Sequence, residues 1–440
     1  MAKILLACHQ FYPRYYTGTE ILVLEVADEL RERGYKVAIL TTEPLIQGDE
    51  LPESPLVKEE QYNGHQVWKI IAPNHTNILQ RLEHESYDDR VLQIYNNVLE
   101  EFQPDICHIF HLMRLTSFFV DILEEKGIKK YFTSTDYWFL CPTYQLIRYN
   151  DKLCQGPEPS KCFVCLANLY TQGMETVPLH YKAAYKLPKL ASLVNKEAAK
   201  MQKALGKRIE IHKQTIGKFD GVFISNLFMQ SLFHKNGLKG KKEYIMDFPV
   251  PTRAEGVSNI DNISEEGSLR VGFIGTLRPS KGPHVLINAC NELRDVNNIE
   301  VEIWGEALDK QYKQQLNDAA EGIEFVNFCG TFIQEDFNKV LEKLDVVVIP
   351  SIWYENTPLT ALTALLGKRV LIVSNLGGLS TLVQDNVSGF TFPVGDSVAL
   401  SKILKKLAQD RHKLVTVAKS IPNVKTTKTY VNRLIETYEG

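Results

Sequence analysis

Residues 350–359 read PSIWYENTPL, and this stretch decides the fold more than any other part of the chain. It follows an apolar run at 344–349, which is typical of a buried strand in a parallel sheet. An apolar helix is predicted next, over 358–366, with Pro358 at its first position and Thr357 as its N-cap. A helix that begins at the carboxyl end of a strand presents backbone N–H groups there, and these groups suit a phosphate.

Two further features accompany this turn. Glu355 lies beside the helix start, where a carboxylate suits sugar hydroxyls better than phosphate. The next predicted strand, 369–374, leads to Gly377 and Gly378, so that a second backbone loop can approach the same place closely. Together these features predict a nucleotide-sugar site. The alternative is an ordinary strand–loop–helix turn of an α/β domain.

The composition indicates a globular protein of two domains. The chain has 440 residues, of which 44% are hydrophobic and 23% charged, and its net charge is -3. Without a basic excess we expect no nucleic-acid partner. The N-terminus has the pattern of a short strand rather than of a signal peptide, and no apolar run has the length of a membrane span. We therefore expect a cytoplasmic protein, either in solution or with one face at a membrane.

The order of predicted strands and helices indicates two doubly wound α/β sheets. The first domain is predicted over 1–251, with a Cys-rich and helical insertion at about 141–217. A polar stretch at 252–268 is the predicted linker, and a second cycle of strands and helices fills 269–425. The last helix, at 426–440, is predicted to cross back onto the first domain. In the first domain, polar groups follow the ends of predicted strands, where open α/β sheets bind ligands.

The whole chain resembles the GT-B glycosyltransferases and, more narrowly, their retaining family 4 group. The resemblance implies two facing Rossmann-like domains with a C-terminal crossover helix and the donor site in the second domain. The matching parts, in order, are Gly18-Thr19-Glu20, the strand from Pro104-Asp105 that ends in His111, Gly275 through Lys281-Gly282, Pro350-Ser351, Glu355 through Leu359, and Gly377-Gly378.

The resemblance also implies roles for single residues. Lys281 would neutralise the donor diphosphate and stabilise the departing nucleotide, and Glu355 would face the sugar. The family's Arg usually follows the Gly directly; because Thr276 stands there, Arg278 is expected to reach the phosphates instead. The implied donor site comprises Gly18, Gly275, Thr276, Arg278, Lys281, Glu355, Asn356, Thr357, Pro358, Leu359 and Thr363.

Two acidic residues of the family pattern are missing. The second Glu of its E-x7-E motif is Thr363 here, and Thr381 replaces the Glu that usually follows the Gly pair. A hydroxyl is a weaker acceptor than a carboxylate, so weaker nucleotide binding is expected. In the first domain, the resemblance implies a catalytic role for His111, with a structural role as the alternative. Asp136 is expected either to bind acceptor hydroxyls or to cap its loop.

The implied reaction is the transfer of a sugar from a UDP- or GDP-sugar to an acceptor hydroxyl with retention of configuration. The acceptor would be a glycan, a lipid-linked sugar or a small molecule, and catalysis would require no cofactor. One alternative, favoured by the threonines at 276, 363 and 381, is a catalytically degenerate GT-B binding protein. Another is a sugar-nucleotide epimerase, which would need acid and base side chains that the sequence does not place.

Four cysteines, Cys141, Cys154, Cys162 and Cys165, follow the spacing Cys-x12-Cys-x7-Cys-x2-Cys around a turn rich in Gly and Pro. Such a set can hold a tetrahedral structural zinc ion, and an iron–sulfur cluster uses the same ligands. Because the segment has no predicted helix or strand of its own, a metal would supply its stability. Unligated thiols are the alternative, and disulfides are less expected in a cytoplasmic protein.

Overall fold

The chain divides into two compact units. In this computed structural model, the first unit comprises Met1–Met246 and Tyr430–Gly440, and the second comprises Asp247–Thr429. The structure describes residues 2–46, 49–50, 52–73, 75, 77–171, 196–251, 263–333 and 336–440. The predicted linker at 252–268 begins just after the boundary between the units, and its residues 252–262 lie outside the described ones.

The first unit is built on an eight-stranded sheet. Its strands are β1 Lys3–Ala7, β2 Lys36–Thr42, β3 Leu56–Tyr62, β4 His65–Ile71, β5 Ile106–Ile109, β6 Lys129–Ser134, β7 Gly221–Ile224 and β8 Glu243–Ile245. They lie in the order β3-β4-β2-β1-β5-β6-β7-β8, and all neighbours are parallel except β3 and β4. The order reverses between β1 and β5, so the loops after these strands leave in opposite directions and open a crevice at the carboxyl edge.

Helices connect these strands. They are α1 Gly18–Glu32, α2 Ile78–His84, α3 Leu92–Phe102, α4 Phe118–Glu125, α5 Pro159–Thr171, α6 Lys196–Ile216 and α7 Leu227–Lys235. A capping box begins α1, since the Glu20 carboxylate accepts hydrogen bonds from the backbone N–H and the hydroxyl of Thr17, at 2.7 and 2.6 Å. Among the described helices, none is both long and apolar enough to cross a membrane.

The insertion has an apolar core that it shares with Ile78 and Leu82 of α2. Phe163, Val164 and Leu166 of α5 are buried in one cluster with Met201 and Leu205 of α6. The expectation that the cysteine segment lacks a helix is therefore wrong, because Pro159 begins a helix whose apolar face packs on α6. Apolar packing thus supports the part of this segment that begins at Pro159.

The second unit contains a six-stranded parallel sheet. Its strands are β9 Leu269–Ile274, β10 Ile299–Trp304, β11 Val326–Gly330, β12 Val346–Ile349, β13 Val370–Ser374 and β14 Gly389–Phe392. Their order is β11-β10-β9-β12-β13-β14, which is the doubly wound order of dinucleotide-binding domains. Ile323 is buried in the turn that precedes β11, which starts at Val326.

The helices of the second unit place two loops at the reversal of strand order between β9 and β12. The helices are α8 Pro283–Asn291, α9 Lys310–Ala320, α10 Phe337–Glu342, α11 Leu359–Leu366, α12 Ser397–Gln409 and α13 Arg411–Lys419. The loop after β9 leads to α8, and the loop after β12 leads to α11. Residues 275–282 and 350–358 therefore lie where open α/β sheets bind ligands.

The start of α11 differs from the sequence prediction. Pro358 is extended, with ψ of 127°, and it is the N-cap rather than the first helical residue. Its carbonyl oxygen accepts the first hydrogen bonds of the helix, from the N–H groups of Ala361 and Leu362 at 3.0 and 3.3 Å. Thr357 is therefore not the N-cap, and the prediction that it caps this helix is wrong.

The C-terminal helix, α14 Thr427–Glu439, packs in the first unit from Tyr430 onward. Tyr430, Val431, Leu434 and Tyr438 of this helix are buried. The Tyr438 hydroxyl forms a hydrogen bond with Nδ1 of the buried His108 on β5. The helix is thus part of the core of the first unit.

Leu434→Ala should destabilise the protein by about 2–5 kcal/mol, because the side chain is fully buried and its removal leaves a cavity. Chemical denaturation measures the change. Glu436→Ala, at an exposed position of the same helix, is the control and should stay within about 0.5 kcal/mol of the wild type. Equal effects of the two substitutions would contradict the packing of α14.

Candidate functional site

Two loops of the second unit meet at a backbone contact. Gly282 has φ of 71°, and a Cβ atom there would lie 1.9 Å from the carbonyl oxygen of Pro350. The backbone N–H of Ile352 also donates to the carbonyl of Ser280 at 2.9 Å. Only glycine permits this approach, which sets the turn Pro279–Lys281 against the loop after β12.

This contact brings Lys281 to Glu355. Oε1 of Glu355 accepts hydrogen bonds from Lys281 Nζ at 2.7 Å, Trp353 Nε1 at 2.7 Å and the Ser351 hydroxyl at 2.8 Å. Glu355 and Ser351 are buried, whereas the Lys281 side chain is 29% exposed. The two residues predicted for the phosphate and the sugar therefore form one ion pair, with the lysine at the accessible end.

The other predicted donor residues flank this pair. Thr276 and Arg278 are exposed, and Asn356, Thr357, Pro358 and Leu359 are half-buried. Gly275 has φ of 156°, and its N–H donates to the carbonyl of Trp304 at 3.0 Å. The predicted residues after β9 and β12 thus lie on the two loops at the switch point. Their contacts with a nucleotide stay predictions.

The two substituted acidic positions hold buried or locally bonded threonines. Thr363 is buried within α11, and its hydroxyl donates to the carbonyl of Leu359 at 2.9 Å. The Thr381 hydroxyl donates to the carbonyl of Gly378 at 2.7 Å. Because each hydroxyl proton is already used, these side chains offer a ligand only their acceptor lone pairs.

In the first unit, both ring nitrogens of His111 have protein partners. The N–H of Met113 donates to Nδ1 at 3.0 Å, so the ring proton of the neutral form lies on Nε2. Nε2 donates to Asp136 Oδ2 at 2.9 Å, and the other Asp136 oxygen accepts from the N–H of Trp138 at 2.8 Å. Both predicted residues are brought together, and the aspartate does cap its loop. A catalytic or acceptor-binding role for either stays a prediction.

Sequence reasoning missed His9, which follows β1 as His111 follows β5. The two rings lie 4.2 Å apart between centroids. Burial first, and then the charges of His111 and Arg114, hold the pKa of His9 well below its usual value. Among the described residues, Nδ1 of His9 and Oε1 of Glu20 are buried polar atoms without a hydrogen-bond partner. Its position directly after a predicted strand was the signal that could have found His9.

The insertion helix α6 also contributes to this edge of the first unit. Arg208 is buried, and it donates to the carbonyl of Trp138 and to Glu85 Oε2, both at 2.7 Å. Its guanidinium lies 5.0 Å from the centroid of the Trp138 ring. The loop that carries Asp136 is therefore held by the insertion. No sequence pattern predicts this contact, because it joins residues far apart in the chain.

Gly18 is exposed and begins α1. A Cβ atom there would meet nothing within 4 Å, so packing within the first unit does not require a glycine. The close approach of a donor phosphate stays the predicted reason for it.

The four cysteines are neighbours, but the thiols do not form a ready metal site. Burial and then the nearby thiols raise the pKa of Cys162 to about 12. Cys141 Sγ contacts the Thr143 hydroxyl at 3.1 Å, and Cys154 Sγ donates to the carbonyl of Gly156 at 3.1 Å. In the described parts of the chain, no three His, Cys, Asp or Glu side chains are arranged to hold a metal. Four thiols suit a soft ion such as zinc, which would have to draw them inward.

Zinc at these thiols stays a prediction that elemental analysis can check. Protein purified without chelator should contain about one equivalent of zinc if all four thiolates bind it. Brown colour and visible absorbance would indicate an iron–sulfur cluster instead. A chain in which Cys162 and Cys165 are both replaced by serine is the control and should lose the metal. Less than about a tenth of an equivalent in the wild type would leave unligated thiols.

Gly282→Ala should destabilise the second unit by about 2–5 kcal/mol, the sum of a left-handed backbone at alanine and a clash with Pro350. Gly395→Ala is a matched control, because Gly395 has a φ of 75° and nothing lies within 4 Å of its would-be Cβ. The control should cost only about 1–2 kcal/mol. Denaturant unfolding compares them, and equal losses would mean that the contact with Pro350 is not important.

Comparison with known proteins agrees with this architecture. Residues 268–410 match the family model described as glycosyl transferases group 1. An uncharacterized 42.6 kDa protein from the cps region of Klebsiella pneumoniae is 21% identical over 394 residues, which are 86% of this chain and 87% of that protein. The amylovoran biosynthesis glycosyltransferase AmsK of Erwinia amylovora is 30% identical over 156 residues, which are 34% of this chain and 38% of AmsK.

Solved structures share the fold at low identity. Sucrose-phosphate synthase from Thermosynechococcus elongatus has a TM-score of 0.67 at 14% identity, over 100% of this chain and 98% of that one. The Anabaena protein HepE, solved with UDP and glucose, has a TM-score of 0.62 at 14% identity, over 100% of both chains. The chain therefore has the GT-B fold, and its residues 268–410 match the glycosyl transferases group 1 family.

Proposed function

We propose that the chain transfers a sugar, a hexose or a related unit, from a UDP- or GDP-sugar to an acceptor hydroxyl with retention of configuration. The acceptor is a glycan, a lipid-linked sugar or a small molecule, and the reaction serves glycan or polysaccharide synthesis in the cytoplasm, in solution or at a membrane surface. The match of residues 268–410 to group 1 supports the reaction class. The role of AmsK in amylovoran biosynthesis supports a polysaccharide product, and the UDP and glucose bound by HepE support the donor class.

The observation that carries this proposal is the ion pair of Lys281 and Glu355 at the switch point of the second sheet. In this proposal the ammonium of Lys281, on a side chain that is 29% exposed, binds the diphosphate, and its positive charge stabilises the leaving nucleotide without a metal. Glu355 is buried and held by neutral donors as well, so it keeps its orientation toward a sugar.

Retention follows if the acceptor attacks from the side on which the nucleotide leaves. In that path the acceptor hydroxyl forms the new bond to the sugar carbon as the bond to the phosphate oxygen breaks, and the leaving phosphate takes the hydroxyl proton. No protein nucleophile is needed. What the chain must supply is the positive charge of Lys281 at the phosphate and a fixed position for the sugar.

Lys281→Ala should weaken UDP or GDP binding by about 1.5–3 kcal/mol, the scale of a hydrogen bond to a charged group. Titration calorimetry with each nucleotide measures the loss, and a donor-hydrolysis screen with UDP- and GDP-sugars identifies the sugar. Glu355→Gln should lower turnover more than nucleotide affinity, because it faces the sugar.

Lys405→Ala is the matched control. Lys405 forms a 2.7 Å ion pair with Asp295 in the same unit, away from the loops at the switch point. Its replacement should leave nucleotide binding unchanged. If Lys281→Ala binds both nucleotides as tightly as the wild type, the assignment of Lys281 to the phosphate is wrong.

A second candidate function is nucleotide-sugar binding without turnover. The Thr363 and Thr381 hydroxyls donate to backbone carbonyls, so neither replaces the carboxylate expected at its position. The same screen separates the two functions. Nucleotide binding with no hydrolysis or transfer from any donor would favour the binding protein.

A further inference from the structure

Trp353 contacts both charged groups of the second-unit site. Its Nε1 lies 2.7 Å from Glu355 Oε1, and the Lys281 Nζ atom lies 5.3 Å from the centroid of its ring. Trp353 itself is half-buried.

The indole N–H suits the task of holding a carboxylate. It donates a hydrogen bond and cannot accept one, so it has a single way to contact Glu355. The Ser351 hydroxyl, fully buried, donates to the same oxygen at 2.8 Å. Two neutral donors on the loop after β12 thus fix Oε1 independently of the lysine.

The ring face acts on the other charge. An ammonium within about 6 Å of an indole centroid is attracted by the negative face of the ring. Lys281 has three N–H donors, and its bond to Glu355 at 2.7 Å uses one of them. The remaining donors can meet a phosphate while the ring keeps the ammonium near Glu355.

We propose that Trp353 is a positioning residue of the donor site. Its N–H holds Glu355, and its ring holds Lys281, so that both charges keep their places when a nucleoside diphosphate binds the lysine. This role rests on the proposed glycosyl transfer. It predicts that loss of the N–H harms turnover far more than nucleotide affinity, because Lys281 remains while the sugar-facing carboxylate loses one of the two neutral donors that fix Oε1.

The test compares Trp353→Phe, which keeps a ring and removes the N–H, with Trp353→Leu, which also removes the ring face. Trp353→Phe should lower kcat by about tenfold or more and leave the UDP or GDP dissociation constant within about twofold. Trp353→Leu should lower kcat and also weaken nucleotide binding, because the ammonium loses its contact.

The chain offers a matched control at Trp304. Trp304 Nε1 donates to Glu302 Oε2 at 2.8 Å, and Lys343 Nζ lies 5.8 Å from the centroid of its ring. Trp304→Phe therefore removes the same kind of hydrogen bond in the same unit, from a tryptophan that also contacts one glutamate and one lysine. It should leave kcat within about twofold of the wild type, with a melting temperature similar to that of Trp353→Phe.

A second measurement does not depend on activity. Brief acylation with acetic anhydride, followed by peptide mass spectrometry, gives the reaction rate of each lysine amine. Lys281 and Lys339 are each paired with a carboxylate at 2.7 Å, but Lys281 is 29% exposed and Lys339 is 77% exposed, so Lys281 should react more slowly. In Trp353→Phe, and more so in Trp353→Leu, Lys281 should react severalfold faster, whereas Trp304→Phe should not change its rate.

Faster acylation of Lys281 together with the selective loss of kcat supports the positioning role. An unchanged acylation rate in both Trp353 variants overturns it, and so does an unchanged kcat in Trp353→Phe. If the wild type turns over no donor, the proposed function fails. The acylation rates then still decide whether Trp353 holds the ion pair.

Discussion

A single close approach of two backbones holds the second-unit site together. Gly282 lies so near the carbonyl of Pro350 that no side chain fits between them. Because β9 and β12 are neighbours in the sheet, the loops after them start side by side, and this contact then fixes their separation. Lys281 reaches Glu355 across 74 residues of sequence as a result. The backbone contact therefore sets the distance between the two loops that carry the charged residues of the site.

The parts of this site that depend on local sequence could be predicted. The apolar run before Pro350 gave the buried strand β12, and the order of strands and helices gave the doubly wound sheet, which the GT-B relatives confirm. The helix start was wrong by one residue, because Pro358 is extended and supplies the first carbonyl acceptor instead of the first turn. The role of Trp353 as a donor to Glu355 could not be read, since the direction of an indole ring in a loop is set by tertiary contacts.

In the first unit too, local sequence predicts some features, whereas others depend on tertiary contacts. His111 and Asp136 were found at strand ends, but their mutual hydrogen bond depends on strands β5 and β6 lying side by side. The Gly and Pro residues of the cysteine segment predict a turn, whereas the apolar residues after Pro159 belong to a helix. Phe163, Val164 and Leu166 have helical spacing, and their partners on α6 lie beyond a long stretch of sequence. A core formed by such distant parts is visible only in the folded chain.

The C-terminal helix imposes an order on biosynthesis. The first unit contains residues from both ends of the chain, and the second unit is encoded between them. A ribosome therefore releases the whole second unit before it releases Tyr438, the partner of the buried His108. Until then His108 and the apolar surface around it lack their final cover, so the unit that is made first is completed last. Nascent chains of this protein are thus expected to expose that surface until Tyr438 has left the ribosome.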